Sequence, residues 1–84
     1  STTNENVTSY LTENNGKLSL MIVNKMPKTK ANTTISIPKF EGNGTMKQLR
    51  PDNSKKGYSE ESIEVKKGMN ITLPAYSITT ITLN

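Results

Sequence analysis

Residues 69–84, MNITLPAYSITTITLN, read as strand, break and strand. Ile71 and Leu73 share one face of an extended run, and Pro74 ends it because its nitrogen has no proton to give to a ladder. Ser77 to Leu83 then resumes with Thr and Ile, which suit a pleated surface. The apolar set is Tyr76 and Ile78, then Ile81 and Leu83, so its face changes around Thr79-Thr80. A strand does this when it passes from one sheet toward another or carries a bulge. Pro74 is therefore expected to break the ladder and Tyr76 to anchor the corner, its ring packed and its hydroxyl bonded to backbone. Ile78, Ile81 and Leu83 are expected to close the core.

Upstream, the two-residue period recurs between turn signals. Val7 to Glu13 opens the regular structure, and Asn15-Gly16 follows, a pair that accepts positive φ at both positions of a tight hairpin. The first two strands should be antiparallel neighbours. In Lys17 to Lys25 (KLSLMIVNK), Leu18, Leu20 and Ile22 lie on one face and Met21 and Val23 on the other. A strand apolar on both faces is central or is covered on its outer side. The cover here is either a loop, including residues 1–6, or a neighbouring domain. Pro27 ends the strand, and Ala31 to Pro38 (ANTTISIP) alternates with Ala31, Thr33, Ile35 and Ile37 inward.

Phe40 falls at the edge of the core before a turn at residues 41–44 (EGNG). Thr45 to Arg50 reads as a fourth strand with Met46 and Leu49 buried, an odd spacing that predicts a bulge. Pro51-Asp52-Asn53 opens a polar loop through Gly57. Ser62 to Val65 and Met69 to Leu73 then flank Lys66-Lys67-Gly68 as a tight hairpin. No segment sustains a helical period. Seven short strands with turn chemistry between them predict an all-β fold, an immunoglobulin-like antiparallel β-sandwich. Residues 1–6 form a flexible tail or linker and residues 7–84 one domain.

Composition sets limits on chemistry. Eighty-four residues bury only about 60% of the surface the unfolded chain exposes, so the core is one thin layer. The chain has no His, Cys or Trp, which removes Ser-His-Asp and Cys-His nucleophiles and the usual zinc ligands. No cofactor and no metal site are expected. The net charge of +4 comes from scattered lysines rather than a stripe interleaved with aromatics, so nucleic acid is not an expected partner. No run is long enough to span a membrane as a helix. The chain opens at Ser1, which reads as a module excised from a longer polypeptide, and a monomer is expected.

Three sequence words carry a resemblance. GKLSLMIVNK at residues 16–25, ANTTISI at 31–37 and LPAYSIT at 73–79, in that order, resemble the C-terminal β-sandwich domain of barrel-type glycoside hydrolases. The nearest likenesses are family 44 endoglucanase/xyloglucanases and family 51 α-L-arabinofuranosidases, over about Val7 to Leu83. The resemblance implies a secreted polysaccharide-degrading parent and, as partner, a catalytic barrel domain of the same polypeptide. It also implies that the catalytic glutamates sit on that barrel, so no catalytic residue is expected here. The chain's own carboxylates agree: a glycosidase pair needs two carboxylates about 5–10 Å apart in a cleft, and adjacent Glu60 and Glu61 would point to opposite faces of a strand. Sugar rings stack on aromatics, and with Tyr76 given to the corner, the platforms left for plant cell-wall polysaccharide are Tyr10 and Tyr58. One or two rings support weak binding at most.

Overall fold

The computed structural model describes residues 6–50 and 58–84. Seven strands account for nearly all regular structure there: β1 (Val7–Asn14), β2 (Lys17–Asn24), β3 (Ala31–Ile35), β4 (Gly42–Leu49), β5 (Tyr58–Val65), β6 (Met69–Leu73) and β7 (Ser77–Leu83). Every pairing is antiparallel, so the fold is all-β. Five strands form one sheet in the order β1-β2-β7-β4-β5, and β3 with β6 forms a two-stranded sheet. The expected tail overlaps residues 1–5, and the polar loop residues 51–57; both segments lie outside the described residues.

The first hairpin follows from its turn residues. Asn14 pairs with Lys17 around Asn15 (φ 56°) and Gly16 (φ 82°), the left-handed pair that a two-residue turn needs. The other expected hairpin does not form. Residues 66–68 carry the chain from β5 in the large sheet to β6 in the small one, and the Gly68 N–H donates to the Ile35 carbonyl at 2.7 Å. Between β3 and β4, Pro38 and Lys39 (φ 68°) make a turn closed by Phe40 N–H donating to Ile37 C=O at 3.1 Å. That turn drives Phe40 fully into the core rather than to its edge.

The core lies between the two sheets. Leu20, Ile22, Met46, Val65 and Ile81 point down from the large sheet onto Ala31, Ile35, Ile71 and Leu73 of the small one, around Phe40. Two expectations about register are corrected. β4 and β7 pair residue for residue from Gly44↔Leu83 to Leu49↔Ile78, and neither carries a bulge. Instead Thr79 fills an inward position, completely buried and accepting a hydrogen bond from Gln48 Nε2 at 3.2 Å. A satisfied polar side chain interrupts the apolar pattern without shifting the strand. Ile78 and Leu49 therefore face outward, and Ile81 and Leu83 are the β7 residues that pack on the core.

Gly44 belongs to the ladder and not to a turn. A Cβ at this position would stand 2.6 Å from the Thr82 carbonyl oxygen and 3.3 Å from Leu83 Cα, so only glycine lets β4 lie this close to β7.

Candidate functional site

The corner between β6 and β7 is held from an unexpected direction. Tyr76 is not the packed anchor: the residue is 47% exposed, and its contribution is backbone, with φ at +50° and its N–H donating to Met26 C=O at 2.8 Å. Asn24, at the end of β2, does the anchoring. Its side chain is buried and its Nδ2 donates to the carbonyls of Thr29 (3.1 Å), Leu73 (3.4 Å) and Pro74 (3.0 Å). Its Oδ1 accepts from Met26 N–H at 3.0 Å. Ser77 Oγ donates to the Pro74 carbonyl at 2.6 Å, which closes the turn from the other side. A buried amide suits this place because it offers two donors and an acceptor without a charge to desolvate.

Beside that corner the surface opens into a hollow of about 250 Å³ lined by Val23, Asn24, Lys25, Tyr76, Ser77 and Ile78. Val23 and Ile78 are its aliphatic lining, and its only charged lining residue is Lys25. Among the described residues no cluster of three or more carboxylates could hold a metal ion. No helix among them is long and apolar enough to cross a membrane.

The two expected sugar platforms are not brought together. Tyr10 is 52% exposed on the outer face of β1, opposite Met21. Tyr58 begins β5, opposite Leu49, and its side chain lies outside the described residues. β1 and β5 are the two edges of the large sheet, four strand spacings or about 19 Å apart. The outward residues between them on β2, β7 and β4 are Met21, Val23, Thr80, Ile78, Lys47 and Leu49, not a row of rings. Glu60 and Glu61 lie on β5, opposite Lys47 and Met46 respectively, so they face opposite ways as strand geometry requires.

Sequence reasoning missed Asn24 as the corner's anchor. It stands among the quoted words as part of an "NK" ending, but nothing local distinguishes a buried Asn at a strand end from the nine others in the chain.

Comparison with known proteins agrees on the architecture. No protein-family model matches the sequence, and no curated protein matches it. Solved structures do. An α-L-arabinofuranosidase from Thermotoga maritima superposes with a TM-score of 0.76 at 18% identity, over 93% of this chain and 19% of that one. A bifunctional glucanase-xylanase from a metagenome library gives 0.74 at 23%, over 92% and 15%. A family 44 xyloglucanase from Paenibacillus polymyxa gives 0.72 at 17%, over 94% and 17%. The chain thus has the fold of one domain found within glycoside hydrolases of both families that its sequence words resemble. It spans less than a fifth of the length of each.

Proposed function

We propose that the chain is a non-catalytic accessory module of a secreted polysaccharide-degrading glycoside hydrolase, packing against or spacing its catalytic domain. One observation carries this reading: the chain is matched almost end to end by segments that make up 15–19% of much longer glycoside hydrolase chains. The chain's own chemistry is in keeping with it, since its described carboxylates lie on strands or turns at the surface and none lines the hollow. Glycan affinity is secondary on this reading and rests on Tyr10.

The test is direct. The purified 84-residue protein is incubated with aryl β-glucosides, β-xylosides and α-L-arabinofuranosides and with soluble xyloglucan, and product is measured. No turnover is expected, and turnover by homogeneous protein overturns the proposal. Titration with cello- and xylo-oligosaccharides followed by NMR is expected to give shifts confined to Tyr10 and its neighbours, with Kd near or above about 1 mM. Micromolar affinity would favour a dedicated carbohydrate-binding module instead. Secretion is checked by locating the natural polypeptide in the culture medium rather than in the cell pellet.

A further inference from the structure

The sandwich has two outer faces of different character. On the small sheet, Asn32, Thr34, Asn70 and Thr72 point outward and are joined across the strands: Thr34 Oγ1 donates to Asn70 Oδ1 at 2.6 Å and Thr72 Oγ1 to Asn32 Oδ1 at 2.9 Å. That face is polar and made for water. The outer face of the large sheet is mixed: Lys47 and Glu60 stand on it at β4 and β5, and an apolar strip crosses it. Of the five large apolar side chains exposed among the described residues, Tyr10, Met21 and Leu49 stand on it and Tyr76 borders it.

These side chains form one strip. Tyr10 is opposite Met21, Val23 opposite Ile78, and Ile78 opposite Leu49. Side chains directly opposite one another on a sheet lie about 5 Å apart, and Met21 and Val23, two residues apart on β2, are about 7 Å apart along the strand, so the strip steps from β1 to β4, and the hollow beside Tyr76 adjoins it. Contiguous apolar surface on this scale marks an interaction site.

Resting on the accessory-module reading, we infer that this outer face, centred on Met21, Val23 and Ile78, is the surface on which the catalytic domain of the same polypeptide sits. Its size fits a domain. Five strands spaced about 4.8 Å apart and about seven residues long present roughly 550 Å² in projection. Stable interfaces bury about 800 Å² of accessible surface per partner, which a rim of loops around such a face supplies. Its chemistry fits a protein better than a glycan. The centre is aliphatic, with Thr8 and Thr80 beside it and Lys47 and Glu60 toward the β5 edge, so it offers no Asn, Gln or Asp to sugar hydroxyls and gives a protein partner a pair of opposite charges at its rim. Tyr10 and Tyr76 lie roughly 16 Å apart by strand spacing and rise, too far for neighbouring rings of one oligosaccharide to bridge them as a continuous platform.

The experiment is hydroxyl-radical footprinting of the 84-residue protein and of the natural polypeptide that carries it, read by mass spectrometry at Met21, Tyr10 and Tyr76. Half-buried Met69, on the small sheet, is the internal reference. In the polypeptide carrying a catalytic domain, oxidation of Met21 and Tyr10 is expected to fall at least about fivefold while Met69 is unchanged, as for side chains taken into the centre of an interface. In that polypeptide the double variant Met21→Lys, Val23→Lys is expected to restore Tyr10 oxidation. Equal oxidation of Met21 in both proteins, with a catalytic domain present, overturns the docking face and leaves the accessory-module reading standing. A natural polypeptide without a glycoside hydrolase domain overturns both. Protection that appears in the 84-residue protein with rising concentration, or protection of Met21 by micromolar xylo-oligosaccharide, overturns the inference in favour of a second copy or a glycan.

Discussion

Asn24 engages both amide protons and its carbonyl oxygen where β6 gives way to β7, and it does so in a place water does not reach. Removing the amide takes the acceptor from the Met26 N–H and a donor from the Thr29, Leu73 and Pro74 carbonyls, of which Pro74 keeps the Ser77 hydroxyl. Asn24→Ala is therefore expected to destabilise the domain by about 3 kcal/mol, read as a lower urea midpoint at unchanged slope. A loss below about 1 kcal/mol would mean that water replaces the amide. Tyr76 predicts the opposite behaviour. The residue is half exposed and its backbone is left-handed, a conformation that Asn tolerates better than an aromatic residue. Tyr76→Asn should change stability by no more than about 0.5 kcal/mol in either direction. Thermal and urea unfolding compared with wild type decide it, and a large loss would reinstate the ring as the corner's anchor.

At the scale of elements, close approach and turn chemistry set where strands can lie. β4 is wedged between β5 and β7, and Gly44 meets the Thr82 carbonyl with no room for a methyl group. Gly44→Ala must push two backbones apart and is expected to cost about 1–3 kcal/mol. Nothing stands within 4 Å of a Cβ at Gly16, so there the cost is conformational alone. With φ at +82°, Gly16→Ala should cost about 1 kcal/mol. The pair separates two reasons for glycine by where the structure responds. Amide chemical shifts should move across β4 and β7 in Gly44→Ala, and stay within the β1–β2 hairpin in Gly16→Ala. Shifts spreading through β7 in Gly16→Ala would contradict a purely local strain.

For the whole molecule, burial distinguishes the surface that makes the fold from the surface left over. Leu73 is completely buried between the sheets, so Leu73→Ala is expected to cost about 2–5 kcal/mol. Met21 is 38% exposed on the outer face, and Met21→Ala should cost less than about 0.5 kcal/mol in the 84-residue protein. Equal losses in calorimetry would make the outer face part of the folding core and remove the reason to seek a partner for it. The strands, their antiparallel class and the first hairpin were legible in the chain. Alternation of side chains, Asn15-Gly16 and Pro74 act over a few residues, and the backbone obeys them wherever it finds itself. Local pattern misread Thr79-Thr80 as a sheet crossing or bulge and residues 66–68 as a hairpin. It also misread Tyr76 as a buried anchor. Each turned on a partner remote in sequence: Gln48 opposite Thr79 on β4, Ile35 accepting from Gly68, and Asn24 reaching the Pro74 carbonyl. The sequence by itself determined that this chain is a thin β-sandwich without His, Cys or Trp, because composition and period are local quantities. Only the tertiary structure decided which strands share a sheet and which apolar residues are left outside, because a side chain's burial depends on what the rest of the chain places over it.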